Sequence, residues 1–474
     1  MEAAGSQSDV ADHVEMYTGG VKLVIGYHIV AMPYPGRGHI NPMMNLCYLL
    51  ASKDITVTFV LTEEWLALIG PLLDTPNIRL HSIPNVVPSE RTRAADFIGF
   101  VNAVYTKMEA PFDRLLDQLE LPVSCIVADT LLPWMTAVGS RRNIPVVSLW
   151  TMAPSVFAVY YYFDLLAAHR HSPDENLPER REEIIDYLPG VSSMRMADLP
   201  YLTVGKTGSV LKQTLEAFSS ITKAQAILFT SFYDLQPHVI NALRAHLSIP
   251  IYAVGPSIPY LSLKVPPSKP IASGDAAYFD WLDSQPEGSV LYVSLGSYLS
   301  TSKEQMQELS MGLKDSGVRY LWITLGEVSS LQEMGLIVPW CDQLKVLCHS
   351  SVAGFLTHCG WNSTMESIYA GVPMLTFPLF VDQCHNSKLI VEDWRVGLKL
   401  KQIVGAEHVV GREEIAQTVK RLMDLNGDEG KELRKRAKEL QETCQRAIEI
   451  GGSTDNSLNA FVRDVVQGQC NFAN

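Results

Sequence analysis

Short, unbroken runs of apolar and mostly β-branched residues recur along this chain, each followed by a stretch with helical spacing. In the first half they are Tyr27–Met32, Thr56–Leu61, Cys125–Ala128, Pro145–Trp150 and Ala226–Thr230. In the second half they are Ser289–Leu295, Tyr320–Leu325, Val352–Thr357 and Pro373–Phe377. A strand that is apolar at every position has both faces buried, which is the condition of a parallel sheet covered by helices on both sides. Between the halves, Gly255-Pro256-Ser257-Ile258-Pro259 and Val265-Pro266-Pro267-Ser268-Lys269-Pro270 are too rich in proline to continue a strand or a helix. The pattern therefore predicts an α/β protein of two doubly wound parallel-sheet domains with a cleft between them. The expected divisions are a disordered N-terminal extension over 1–26, a first domain over 27–255, a linker over 256–274 and a second domain over 275–474. The helices expected from Arg412 onward are free to pack back on the first domain. Their charge run Lys431–Lys438 reads as a solvated helix face.

Composition narrows the class. The net charge is -13 with no long Lys/Arg run, so the chain lacks the basic footprint that nucleic acid or an anionic membrane requires. The eight cysteines form no C-x-x-C pair and read as reduced, buried thiols of a cytoplasmic protein. Cys341, Cys348, His349, His358, Cys359, Cys384 and His385 cluster in sequence, but their irregular spacing does not suit zinc, and no metal is expected. The acidic start has neither a basic-then-apolar leader nor an Arg-rich transit pattern. Val147–Ala168 approaches the length of a membrane span, yet Pro154 and Asp164 divide it into a strand, a turn and a helix.

In open α/β sheets, ligands bind beyond the carboxyl ends of the strands, and candidate chemistry gathers there. The first run leads into Pro33-Tyr34-Pro35-Gly36-Arg37-Gly38-His39-Ile40-Asn41-Pro42, where the glycines permit a tight turn and Pro42 suits the first turn of a helix. His39 is then presented at the mouth of the sheet. Asp129 follows the run Cys125–Ala128, which doubly wound order places beside the first strand. A carboxylate on one imidazole nitrogen would fix the tautomer and leave the other nitrogen as a base; a turn histidine and a capping aspartate is the plainer alternative. Gly36-x-Gly38-x-x-Asn41, with Glu63 or Glu64 as a ribose acid, is an incomplete dinucleotide fingerprint and argues against a nicotinamide enzyme. In the second half, Val352–Thr357 runs into His358-Cys359-Gly360-Trp361-Asn362-Ser363-Thr364-Met365-Glu366. Ser363-x-x-Glu366 has capping-box spacing, and a helix N-terminus suits a diphosphate. The turn at Leu295-Gly296-Ser297 is placed to add donors. No D-x-D occurs, so fixed dipoles rather than a divalent ion are expected to meet the leaving charge.

Taken together, Trp340-Cys341-Asp342-Gln343, then Val346-Leu347-Cys348-His349-Ser350, Phe355–Ser367, Gly371-Val372-Pro373-Met374 and Asp382-Gln383 resemble the signature box of plant UDP-dependent glycosyltransferases (family 1). The box from Trp340 to Gln383 has the family's length, and Pro33–Pro42 matches the family's start. The resemblance implies a GT-B architecture of two Rossmann-like domains, with acceptor bound by the first and UDP-sugar by the second. It implies that Trp340 stacks on uracil and the Cys341 backbone bonds it, while Gln343 and Glu366 hold the ribose. Ser297, His358, Asn362 and Ser363 would hold the diphosphate, and Trp361, Asp382 and Gln383 the sugar. Gln383 as the last box residue resembles glucose users, and His39 with Asp129 matches the family's catalytic pair. The implied function is inverting transfer of glucose from UDP-glucose to a hydroxyl or carboxylate of a small, hydrophobic acceptor. The alternative is a nucleotide-sugar-binding relative with little turnover. Acceptor-lining candidates are Phe157, Tyr160–Phe163 and the loop Ile83–Phe100, although the aromatic run equally suits a helix core. Two features depart from the family pattern: the long lead before the first strand, and a short Gly326–Ile337 segment just before Trp340.

Overall fold

The computed structural model describes residues 14–18, 21–69, 76–90, 96–172, 178–200, 208–263, 273–296, 301–324, 334–400 and 409–468. The first sheet has seven parallel strands: β1 (His28–Met32), β2 (Thr56–Thr62), β3 (Ile78–Ile83), β4 (Cys125–Asp129), β5 (Val146–Trp150), β6 (Ala226–Phe229) and β7 (Ile251–Ala253), ordered β7-β6-β5-β4-β1-β2-β3. The second has six: β8 (Val290–Ser294), β9 (Arg319–Ile323), β10 (Gly335–Val338), β11 (Val352–Thr357), β12 (Met374–Thr376) and β13 (Gly397–Lys399), ordered β10-β9-β8-β11-β12-β13. The unbroken apolar runs arise because successive residues enter two different cores. Ile29 and Ala31 pack on one face of β1, and Val30 and Met32 on the other. In β8, Val290 and Tyr292 alternate in the same way with Leu291 and Val293. Burying each of the Val, Ile, Leu and Met side chains among these contributes about 1.5–3 kcal/mol.

In both sheets the strand order reverses beside the first strand, between β1 and β4 and between β8 and β11. Such switch points leave crevices at the carboxyl ends, which is where His39, Asp129, Gly296 and His358 lie. The stretch Val147–Ala168 divides into a strand, a turn and helix as expected, but the helical part is two short helices, Pro154–Tyr161 and Phe163–Ala168, rather than one. Among the described residues no helix is long and apolar enough to cross a membrane.

Within the extension expected to be disordered, Val14–Thr18 pairs antiparallel with Val21–Ile25. The expected linker begins as packed chain: the Asn45 amide donates to the Ser257 carbonyl at 3.0 Å, and Tyr260 stacks on Tyr369 with ring centres 6.0 Å apart. Residues 264–272 of it lie outside the described residues. The helix Asp428–Ile448 buries Leu433, Ala437, Cys444 and Ala447 along one stripe and leaves its charged face in water. The helix Ser453–Phe461 then crosses to the first domain, where the Tyr252 hydroxyl donates to Asp464 at 3.0 Å and Lys53 donates to Asn459 at 2.6 Å. The helix Gln383–Lys388 and its continuation Leu389–Asp393 lie against the first domain too. His385 Nε2 meets Ser155 Oγ at 2.8 Å, and the buried Lys388 ammonium donates to Ser192 and pairs with Asp393, each at 2.6 Å. A charge buried this way is tolerated because it is paired.

Candidate active site

His39 stands in the first turn of the helix Arg37–Ala51, which starts directly after the turn that closes β1. Gly36 is its N-cap in extended conformation, and the His39 and Ile40 N–H groups both donate to the Gly36 carbonyl at 2.9 Å. Asp129 is the last residue of β4, next to β1. The two meet: His39 Nδ1 lies 2.8 Å from Asp129 Oδ2, with the imidazole 20% exposed and the carboxylate 2%. Asp129 Oδ1 accepts from the Leu131 N–H at 3.0 Å, which fixes the carboxylate. An imidazole whose Nδ1–H is engaged by a carboxylate presents Nε2 as a base. Thr151, which the sequence reading missed, places Oγ1 2.9 Å from the same Nδ1. It follows β5 directly, so the carboxyl-end rule that singled out Asp129 also points to it.

Aromatic rings flank the pair. Tyr34 lies 5.1 Å from the His39 ring and 5.7 Å edge-on from Phe100, and Phe97 meets Phe380 of the second domain edge-on at 5.6 Å. Phe97 and Phe100 come from the expected acceptor loop, of which residues 91–95 lie outside the described residues. The Tyr160–Phe163 candidates divide. Phe157 and Tyr160 are buried in a cluster with Trp150 and Phe218, and Tyr160 donates to the Pro200 carbonyl at 2.7 Å, so both serve the core. Tyr162 reaches His246 at 3.2 Å, near the surface. Glu63 and Glu64, the candidate ribose acids, bind the loop at Asn85–Glu90.

On the facing domain, β11 delivers His358 and then Cys359, a non-glycine residue with φ of +66°. That left-handed turn aims the helix Trp361–Ala370 at the cleft. The expected capping box does not form. Gly360, with φ −60° and ψ 141°, takes the N-cap without a side-chain cap, and the helix begins two residues before Ser363. The first helical bond runs from the Thr364 N–H to the Gly360 carbonyl at 2.9 Å, so the N–H groups of Trp361, Asn362 and Ser363 precede the ladder. Ser363 and Glu366 share another partner instead: the Gln343 amide donates to Ser363 Oγ at 2.9 Å and to the Glu366 carboxylate. Burial raises Glu366 to about 7. Burial also lowers His358 to about 4, so it is a neutral imidazole. Side-chain space beside it is closed: a Cβ at Gly360 would come 2.5 Å from His358 Nε2, and one at Gly296 (φ +81°) 2.8 Å.

Trp340 is 56% exposed after β10, an open ring face at the rim, while Cys341 is buried against the Tyr292 hydroxyl at 3.3 Å. Trp361 packs beside Trp394, its indole nitrogen buried and without a hydrogen-bond partner among the described residues. The Gln383 amide oxygen accepts from the N–H groups of Leu379 and Phe380 at 2.8 and 2.9 Å. Asp382 is raised to about 6 by burial, against the pull of the Asn386 amide at 2.7 Å and of His39 across the cleft. The Asn362 amide donates to the Gly38 carbonyl at 3.0 Å, so the two domains meet at the predicted site. Ser297 and residues 326–333 of the short segment before Trp340 lie outside the described residues. Cys348, expected to be buried, is exposed. Among the described residues no three His, Cys, Asp or Glu side chains converge as a metal site.

Two Rossmann-like domains with a cleft between them make a GT-B architecture, with the His39–Asp129 pair on one side of the cleft and the open N-terminus of the helix Trp361–Ala370 on the other. A family profile described as UDP-glucoronosyl and UDP-glucosyl transferase matches residues 206–424. UDP-glycosyltransferase 87A2 of Arabidopsis thaliana is 49% identical over 446 residues, 92% of this chain and 96% of the relative. UDP-glycosyltransferase 87A1 of the same plant is 45% identical over 443 residues, 92% and 100% of the two chains. In structure the chain resembles Medicago truncatula UGT71G1 complexed with UDP-glucose, with a TM-score of 0.79, 26% identity and coverage of 93% and 98%. It also resembles Phytolacca americana UGT2 complexed with UDP-2fluoro-glucose and pterostilbene, at 0.75, 28%, 93% and 99%. This chain belongs to the plant UDP-glycosyltransferases, enzymes that transfer a sugar from a UDP-sugar to a small-molecule acceptor.

Proposed function

We propose that the enzyme transfers glucose from UDP-glucose to a hydroxyl or carboxylate of a small hydrophobic acceptor in the cytoplasm, with inversion and without a metal ion. The observation that carries this reading is the 2.8 Å contact of His39 Nδ1 with Asp129, facing the uncapped helix Trp361–Ala370 across the cleft. His39 Nε2 takes the acceptor proton as the acceptor oxygen bonds to the anomeric carbon and the bond from that carbon to the UDP oxygen breaks. The pair of electrons leaves with UDP, and one displacement turns an α-linked donor into a β-product. General-base help contributes about 10²–10⁴-fold, and the rest comes from positioning and from stabilising the diphosphate charge.

The N–H groups of Trp361, Asn362 and Ser363, the helix dipole and neutral His358 are assigned to that charge. Trp340 and the Cys341 backbone take uracil, and Gln343 and Glu366 the ribose. Trp361, Asp382 and Gln383 take the sugar, and Ser297 adds to the diphosphate site. Tyr34, Phe97, Phe100 and Phe380 supply an apolar wall for the acceptor beside His39, and pterostilbene, bound in the P. americana complex, is the first acceptor to assay.

The test is His39→Ala on two acceptor classes. Transfer to alcohols and phenols should be abolished, while carboxylates, which have no proton to give, should keep much more of their rate. Equal residual rates for both classes would refute the base assignment.

A further inference from the structure

Pro42 does not sit in the first turn, where the sequence placed it, but inside the helix Arg37–Ala51. Proline has no N–H, so the carbonyl four residues back, Gly38, loses the partner a regular helix would give it. That carbonyl accepts from the Asn362 amide of the other domain at 3.0 Å. Gly38 is the residue before His39, and Asn362 is the second residue of the helix whose N-terminus faces the diphosphate position. An amide nitrogen carries two protons. One is used on Gly38, and a second remains for a diphosphate oxygen.

We propose that Pro42 is a positioning residue that keeps the Gly38 carbonyl free, so that Asn362 pins the turn carrying His39 to the helix receiving the diphosphate. Donor binding and base placement are then set by one amide. This rests on the reading of His39 as the base and of the Trp361 helix as the diphosphate site. It also gives a role to a proline inside a helix, where it removes a backbone hydrogen bond. Replacing Pro42 with alanine restores an N–H, lets the helix close on Gly38 and releases Asn362 from the turn.

The experiment is a double-mutant cycle of Pro42→Ala and Asn362→Ala, with His39→Ala as control. It measures kcat for a phenolic acceptor, Kd for UDP and the melting temperature. Pro42→Ala should lower kcat about tenfold, the scale of a sub-ångström misplacement of a reacting group. Its melting temperature should be unchanged or raised and its UDP affinity within about twofold of wild type, a combination that loss of structure does not produce. Asn362→Ala should weaken UDP and lower kcat, and the double variant should lose no more kcat than Asn362→Ala alone. Pro42→Ser, which also restores the N–H, should behave as Pro42→Ala does. A wild-type kcat in Pro42→Ala, or an equal fold loss with and without Asn362, would overturn the latch. Wild-type transfer by His39→Ala would instead overturn the base reading, whatever the cycle gives.

Discussion

Glu366 sets stability against binding in a way that can be measured. Its carboxyl lies one turn into the helix Trp361–Ala370, where burial raises it to about 7 against the Gln343 amide that donates to it, with Asp342 adding to the rise. In the unfolded chain the group ionises near 4.5. Between those values the folded protein holds a proton that the unfolded chain releases. The stability it contributes is thus complete below about pH 4.5 and is lost as pH rises through about 7. At about 1.4 kcal/mol per pKa unit the loss is about 3 kcal/mol. Glu366→Gln, neutral at every pH, should match wild type in acid and exceed it in stability by up to that amount in weak alkali. Binding should run the other way. Ribose hydroxyls donate to a carboxylate, so wild-type affinity for UDP should fall toward about tenfold per pH unit below 7, relative to a Glu366→Gln variant that is weaker throughout. Titration calorimetry with UDP, and melting curves without it, from about pH 5.5 to about pH 8.5 would test both arms. Parallel pH curves for the two proteins in both experiments would refute the reasoning.

Three further outcomes are expected. Trp340→Ala should weaken UDP by about 1–3 kcal/mol, the usual worth of a base–aromatic stack, and leave the melting temperature of the free protein unchanged because the ring is exposed; calorimetry and melting curves check this. Phe157→Ala empties a site between Trp150, Phe218 and Phe229 and should cost about 3–5 kcal/mol in urea unfolding, as a core ring rather than a pocket wall would. Transfer rates should be the same in excess chelator and in added magnesium; a loss in chelator restored by magnesium would return the diphosphate to a metal.

The placement of the candidate site was legible largely because strand ends announce themselves. A run that is apolar at every residue stops where the sheet stops, and the polar residues just beyond it, His39, Asp129 and His358, are at the cleft by topology. The capping box was misread because spacing alone does not say which residue adopts the N-cap conformation. Extended Gly360 took that place, and Ser363 and Glu366 were left to Gln343. Pro42 was misplaced for a related reason: the helix begins at Arg37, earlier than a proline at its first position would imply.

All nine apolar runs became interior strands, and the four strands they did not include are the edges of the two sheets. An interior strand of a covered parallel sheet has no wet face, so its burial is written at every position of the sequence. Edge strands are covered unevenly. Ile78–Ile83 contains Arg79, His81 and Ser82, and Gly335–Val338 is half-buried throughout. Ile251–Ala253 is wholly buried, but its cover comes from Phe461 and Asp464, far along the chain. The same separation hides the contacts that complete the cleft. Sequence alone determined the fold class, the two domains and most of the residues at the strand ends. The contacts of Asn362 with Gly38, of His385 with Ser155 and of Thr151 with His39 follow no local period, because they depend on how distant elements are set against one another, and only the tertiary structure decides that.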